Sequence, residues 1–139
     1  MIKNLLISFI FIFSVSTESQ EAINQWVFNA LERAQLNVDK GNLEAAEKIY
    51  YDYASGTYSS KSYDHFVLLR TYGFFLLQQD RNAEALKYLK QADQKRKMPP
   101  MDVFNLKYIL GQIYYVEGQK DKAKETFLEW IKIGTDNQF

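Results

Sequence analysis

One spacing recurs three times along this chain and limits what the chain can fold into. A small residue is followed twelve positions later by an alanine and, four positions after that, by an apolar residue. The three sets are Ala34, Ala46 and Tyr50; Gly73, Ala85 and Leu89; and Gly111, Ala123 and Phe127. Small side chains let two helix backbones approach closely, and a fixed period indicates repeated supersecondary units. The spacing therefore predicts three helical hairpins whose antiparallel helices touch at these positions.

The residues between these markers support an all-α fold. Apolar residues follow steps of three and four, the period of a helix face, and the first helix is predicted over Glu18 to Asp39. Gly41 can take the left-handed conformation that ends a helix, and Asn42 is predicted to cap the next helix with its side chain. Further breaks are expected at Ser55 to Ser62, Gln79 to Asn82, Met98 to Pro100 and Glu117 to Gln119.

The N-terminal segment has the layout of a secretory signal peptide. Lys3 precedes an apolar run from Leu5 to Val15, and small residues follow at Ser14 to Ser16. As a helix this run would span roughly 16 Å, well short of a hydrocarbon core of about 30 Å. We predict a signal peptide at residues 1–16 and a mature domain at 17–139, exported to the bacterial periplasm without stable insertion in the membrane. An uncleaved anchor and an ordinary buried helix remain the alternatives.

Composition argues against several classes of function. Lysine plus arginine equals aspartate plus glutamate, at 17 each, so there is no electrostatic case for nucleic-acid binding. The chain has no cysteine, which excludes disulfides, thiolate zinc sites and cysteine nucleophiles. The single histidine, His65, follows Asp64 without a recognisable nucleophile motif. The basic stretch from Lys87 to Lys97 reads best as a solvated helix end rather than an acidic-lipid or nucleic-acid patch. We expect no enzymatic activity, cofactor or metal.

The third copy resembles the tetratricopeptide repeat (TPR) family, whose unit is a 34-residue helix–turn–helix. The resemblance is carried by Leu110, Gly111, Tyr114, Ala123 and Phe127. It implies an α-solenoid of about three repeats, at about 27–60, 66–99 and 104–137. The observed period of 39 and 38 residues is longer than 34, and the excess falls in the links between copies.

The resemblance also implies where a partner binds. In the family, the first helix of each repeat lines a concave groove that holds a peptide or a helix. Carried over by position, the groove candidates are Leu31, Gln35 and Val38; Arg70, Phe74 and Gln78; and Asn105, Tyr108, Gln112 and Tyr115. The alternative for the aromatic members is that they pack in the core or between repeats, as aromatic residues at helical spacing often do.

These observations predict an exported, non-enzymatic protein–protein interaction module, an adaptor or scaffold of the bacterial envelope. The third copy, which ends in Glu129 and Trp130, is similar to TPR proteins that accompany TonB-type energy transducers, so a partner in such a complex is one expectation. The alternative is a self-assembling structural protein, a homodimer with Phe127 and Trp130 of the last helix at a symmetric interface.

Overall fold

The computed structural model describes residues 22–56 and 62–139. Within these ranges the protein is all-α, with six helices and no strand. The predicted signal peptide lies outside the described residues, as does the start of the first predicted helix. The helices are α1 (Gln25–Asp39), α2 (Leu43–Ser55), α3 (Ser62–Gln78), α4 (Asn82–Asp93), α5 (Pro100–Val116) and α6 (Lys120–Asn137). They form two compact units: α1 to α4 in the part of the chain that ends at Arg96, and α5 with α6 in the part that begins at Lys97.

The six helices form three hairpins that are closed by one kind of turn. Each turn contains a residue with positive φ, namely Gly41 at 77°, Asp80 at 59° and Gly118 at 76°. The amide of this residue donates to the carbonyl three positions back, and the next amide donates to the carbonyl five positions back from itself. This pattern is the Schellman closure of a helix C-terminus. The turn residues recur at the same period as the predicted alanines, so the sequence repeat is also a repeat of backbone geometry.

Within each hairpin the two helices approach at the predicted small residues. A Cβ atom added at Gly73 would lie 2.5 Å from Leu89 Cδ2, and one added at Gly111 would lie 2.7 Å from Phe127 Cε1. Real Cβ atoms essentially never come so close, so the bulky residue occupies the space that glycine leaves. In the first hairpin Ala34 takes the place of glycine and is fully buried.

The first unit has an apolar core shared by its four helices. Its fully buried members include Val27, Phe66, Leu69, Leu76 and Leu89. Burial of each large side chain stabilises the fold by roughly 1.5–3 kcal/mol. The core explains why α2 and α4 form without a side-chain cap at their starts, since packing of an apolar face supplies most helix stability in proteins.

Helix starts differ from the sequence expectation at two points. Residues 22–24, inside the first predicted helix, are not helical, and α1 begins at Gln25. The prediction that the Asn42 side chain caps α2 is wrong, because Asn42 makes no such hydrogen bond. Its backbone is set by the preceding turn, with φ −84° and ψ 64°, outside the extended conformation that capping residues favour. Asn24 does cap α1, accepting from the Trp26 amide at 3.2 Å. No helix in the described ranges is long and apolar enough to span a lipid bilayer.

Candidate interaction site

The groove candidates of the first unit lie on α1 and α3, which are neighbours in the fold. Leu31 and Val38 are half-buried, whereas Gln35 is exposed and donates to the Asp39 carboxylate at 2.8 Å. On α3 the three candidates are all half-buried, namely Arg70, Phe74 and Gln78. Each is thus covered on one side and accessible on the other, which suits residues that both pack and bind.

One residue of this face was missed by the sequence reasoning. Phe28 lies three positions before Leu31 and seven before Gln35, so it belongs to the same helix face. Its side chain is 46% exposed. The helical period alone could have found it, because a large aromatic residue at that phase extends the stripe by one turn.

Arg70 is held in place by an aromatic ring. Its guanidinium carbon lies 5.2 Å from the centroid of the Phe66 ring, and Phe66 is fully buried. A cation over a ring face is attracted by the ring quadrupole. A guanidinium restrained in this way is well placed to receive a carboxylate through charge-assisted hydrogen bonds.

The groove candidates of the second unit, all on α5, differ in how far they are exposed. Asn105 and Tyr115 are exposed on α5. Tyr108 instead packs inside the hairpin, with its ring centroid 6.2 Å from that of Phe127 and 5.1 Å from that of Trp130. Gln112 is half-buried, and its side-chain oxygen is buried without a hydrogen-bond partner among the described residues.

An aromatic cluster joins the start of α5 to the end of α6. The Trp130 ring stacks on Phe104 at 5.2 Å, and Phe139 meets Phe104 edge-on at 5.3 Å. Gly134 makes room for the cluster, since an added Cβ would lie 2.9 Å from Phe104 Cε2. A cavity of about 500 Å³ opens beside it. Phe127 and Trp130, which were expected at a symmetric interface, are thus turned towards α5.

An ion pair also joins the two helices of the third hairpin. The Lys107 ammonium on α5 lies 2.5 Å from the Glu129 carboxylate on α6, and the Lys107 side chain is largely buried. Lys107 therefore links α5 to α6 by charge.

A polar network ties α2 to the second hairpin. Arg81 contacts the Glu47 carboxylate at 2.7 Å and that of Glu84 at 2.6 Å, and the Tyr72 hydroxyl donates to Glu47 at 3.0 Å. The hydrogen bond from Arg81 lowers the pKa of Glu47 below its usual value of 4.5. Burial, and then the hydrogen bond to Glu47, raises the pKa of Tyr72.

Asp64 and His65 hold the two open ends of the first hairpin against α3. The Asp64 carboxylate, only 1% exposed, accepts from the Asn24 amide at 3.1 Å, and His65 Nε2 lies 3.0 Å from the Ala54 carbonyl. These contacts give both side chains a structural role. Within residues 22–56 and 62–139, no group of three or more potential ligand side chains is arranged to hold a metal ion.

Comparisons of the chain with protein-family models, with curated proteins and with solved structures found no match. The functional assignment therefore depends on the chain's own residues and their geometry.

Proposed function

We propose that this chain is a TPR-like, non-enzymatic module that holds a peptide or a helix of a partner protein on the first-helix faces of its hairpins. What supports this most is that the neighbouring helices α1 and α3 carry accessible large residues on the first helices of their hairpins, Phe28 on α1 and Arg70 and Phe74 on α3. Three hairpins with one turn geometry and one close-approach position support the TPR-like, solenoid part of the proposal.

The chemistry of this face suggests what it binds. Arg70 suits a carboxylate of the partner, and the rings of Phe28 and Phe74 suit apolar side chains on either side of it. A short extended segment with one acidic and two apolar residues would satisfy all three. If the N-terminal segment is a signal peptide, the partner belongs to the bacterial envelope, and a TonB-type complex is one candidate.

The proposal is tested by binding with matched variants. Phe28→Ala/Arg70→Gln/Phe74→Ala removes the face, whereas Leu43→Ala removes a partly exposed side chain from a second helix. Both are checked by circular dichroism and used as bait with an envelope extract of the source organism. We expect the wild type and Leu43→Ala to retain a protein that the triple variant loses. Capture of one identical set by all three baits would contradict the proposal.

Self-assembly is the second candidate, and the outer side of α6 favours it. Leu128 and Ile131 are 57% and 54% exposed there, while the neighbouring Phe127 and Trp130 pack within the hairpin. Sedimentation from micromolar to millimolar concentration tests it, since a self-associating chain gains mass as concentration rises. A constant monomer mass across that range would count against it.

A further inference from the structure

The contact between α2 and α3 shows how one hairpin of this chain packs on the next. Tyr50 lies 5.1 Å from Phe75, and Tyr51 meets Tyr72 edge-on at 6.5 Å. At the far end of the contact, the Ala54 carbonyl meets His65. The α2 side of this junction, which we call the trailing face, thus consists of the positions of Tyr50, Tyr51 and Ala54.

The repeated turns place the same face on α6. We treat residues as equivalent when they lie at the same distance along the chain from the positive-φ residue of their own turn. Measured in this way from Gly41 and from Gly118, the equivalents of Tyr50, Tyr51 and Ala54 are Phe127, Leu128 and Ile131. Leu128 and Ile131 are more than half exposed. The helix α6 therefore has its own apolar trailing face, equivalent to that of α2. Two of its side chains, Leu128 and Ile131, are accessible.

The matching face is present on α1. Phe75, Tyr72 and His65 precede the turn residue Asp80. The residues that precede Gly41 by the same numbers of positions are Leu36, Arg33 and Trp26. Leu36 is 54% exposed, although it occupies the position that Phe75 uses to meet Tyr50. We call this the leading face. At its other end, Trp26 is 50% exposed.

We propose that copies of this chain associate head to tail, with the leading face of one copy on the trailing face of another. The contact repeats between molecules the packing of α3 on α2 within one molecule. By the same equivalence, Leu36 of the second copy lies beside Phe127 of the first, and Arg33 of the second copy lies beside Leu128. Because the two surfaces differ, the interface is heterologous, and association continues from copy to copy instead of stopping at a symmetric pair. It uses surfaces other than the peptide-binding face and does not depend on it.

Charge at the junction makes this association weak. Within the chain, Glu47 accepts from Tyr72 and pairs with Arg81. The equivalent of Glu47 on α6 is Lys124, and the equivalent of Tyr72 on α1 is Arg33. Like charges would thus face each other across the proposed interface, and salt should strengthen the association by screening them. Lys124→Glu restores the acid of the inner junction and should tighten the association by about fivefold or more.

The experiment uses two complementary variants and sedimentation velocity on the full chain, with mass spectrometry to record its N terminus. Leu128→Lys disables the trailing face and Leu36→Lys disables the leading face, because each adds a cation to a junction that already holds Lys124 and Arg33. Both side chains are exposed, so the fold should survive, which circular dichroism checks. We expect each variant alone to lose association at least about tenfold, and an equimolar mixture to form a one-to-one dimer through the intact faces. Met101→Lys, at an exposed apolar position at the start of α5, serves as the control that keeps wild-type association.

A symmetric dimer through α6 gives a different result. Leu36→Lys would then still dimerise, and mixing it with Leu128→Lys would restore nothing, which would overturn the proposal. Wild type and Lys124→Glu that both remain monomeric up to millimolar concentration would overturn it as well. Loss of association with recovery only in the mixture can arise from a heterologous contact but not from an isologous one.

Discussion

Replacement of Gly73 by alanine tests the close approach on which each hairpin depends. The new Cβ would lie 2.5 Å from Leu89 Cδ2 and 2.6 Å from Leu89 Cγ, so the whole leucine side chain must move within a fully buried site. Such overpacking costs about 1–3 kcal/mol. Alanine in place of glycine in a helix interior returns about 1 kcal/mol. The net loss of unfolding free energy in the wild-type background is therefore up to about 2 kcal/mol.

The decisive test is whether the effect of Gly73→Ala on the free energy of unfolding changes sign in the Leu89→Ala variant. Leu89→Ala alone should cost about 2–5 kcal/mol, because it leaves a cavity. Within that variant the leucine atoms that the added Cβ would meet are gone, and the Ala85 carbonyl oxygen lies at an ordinary contact distance of 3.5 Å, so Gly73→Ala should stabilise by about 1 kcal/mol. The coupling between the two positions is then about 1–3 kcal/mol, which a double-mutant cycle from urea denaturation, followed by circular dichroism, resolves.

A control in the first hairpin separates packing from helix propensity. Ala34 occupies the position of Gly73 there and is fully buried, so Ala34→Gly should cost about 1 kcal/mol of helix propensity and about 0.8 kcal/mol for the lost methyl group. If Gly73→Ala changed stability equally in the wild-type and Leu89→Ala backgrounds, the two side chains would not compete for space. The packing argument would then be refuted.

Further predictions concern the turns and the polar network. Asp80→Gly should stabilise by about 0.5–1 kcal/mol, because glycine accepts positive φ without the Cβ penalty, whereas Gly118→Ala should destabilise by about 1–2 kcal/mol; urea midpoints measure both. Glu47→Gln should lose about 1 kcal/mol at pH 7. The folded pKa of Glu47 is lowered, so its contribution is present above pH 4.5 and is lost as pH falls through the folded pKa. The variant's stability should therefore converge with that of the wild type in acid, and parallel curves would contradict this assignment.

The local parts of the fold could be predicted from the sequence, because they are encoded at short range. The twelve-residue spacing from Gly73 to Ala85 and from Gly111 to Ala123 fits helices that return at once on themselves, and the structure has a hairpin at each. The turn containing Asp80 was expected, but not its positive φ, since aspartate adopts that conformation only when the surrounding structure requires it.

Side-chain orientation could not be predicted in the same way. The self-assembly alternative placed Trp130 on an outer interface, yet α5 supplies Phe104 as a stacking partner 26 positions before Trp130 in the chain. The pairing of Lys107 with Glu129 likewise joins two different helices, so no local sequence pattern predicts it. The prediction that Asn42 caps α2 failed for a related reason, because the preceding turn determines the backbone conformation of Asn42.

The claim that a partner protein binds the first-helix face is tested most directly by cross-linking in the source organism. A photoreactive phenylalanine analogue would replace Phe74 on α3 or, as a control, Leu43 at the start of α2. The account predicts one dominant adduct with a partner protein from position 74, absent from position 43 and abolished by Phe28→Ala/Arg70→Gln in the same chain. No adduct from position 74, or the same adducts from both positions, would contradict it.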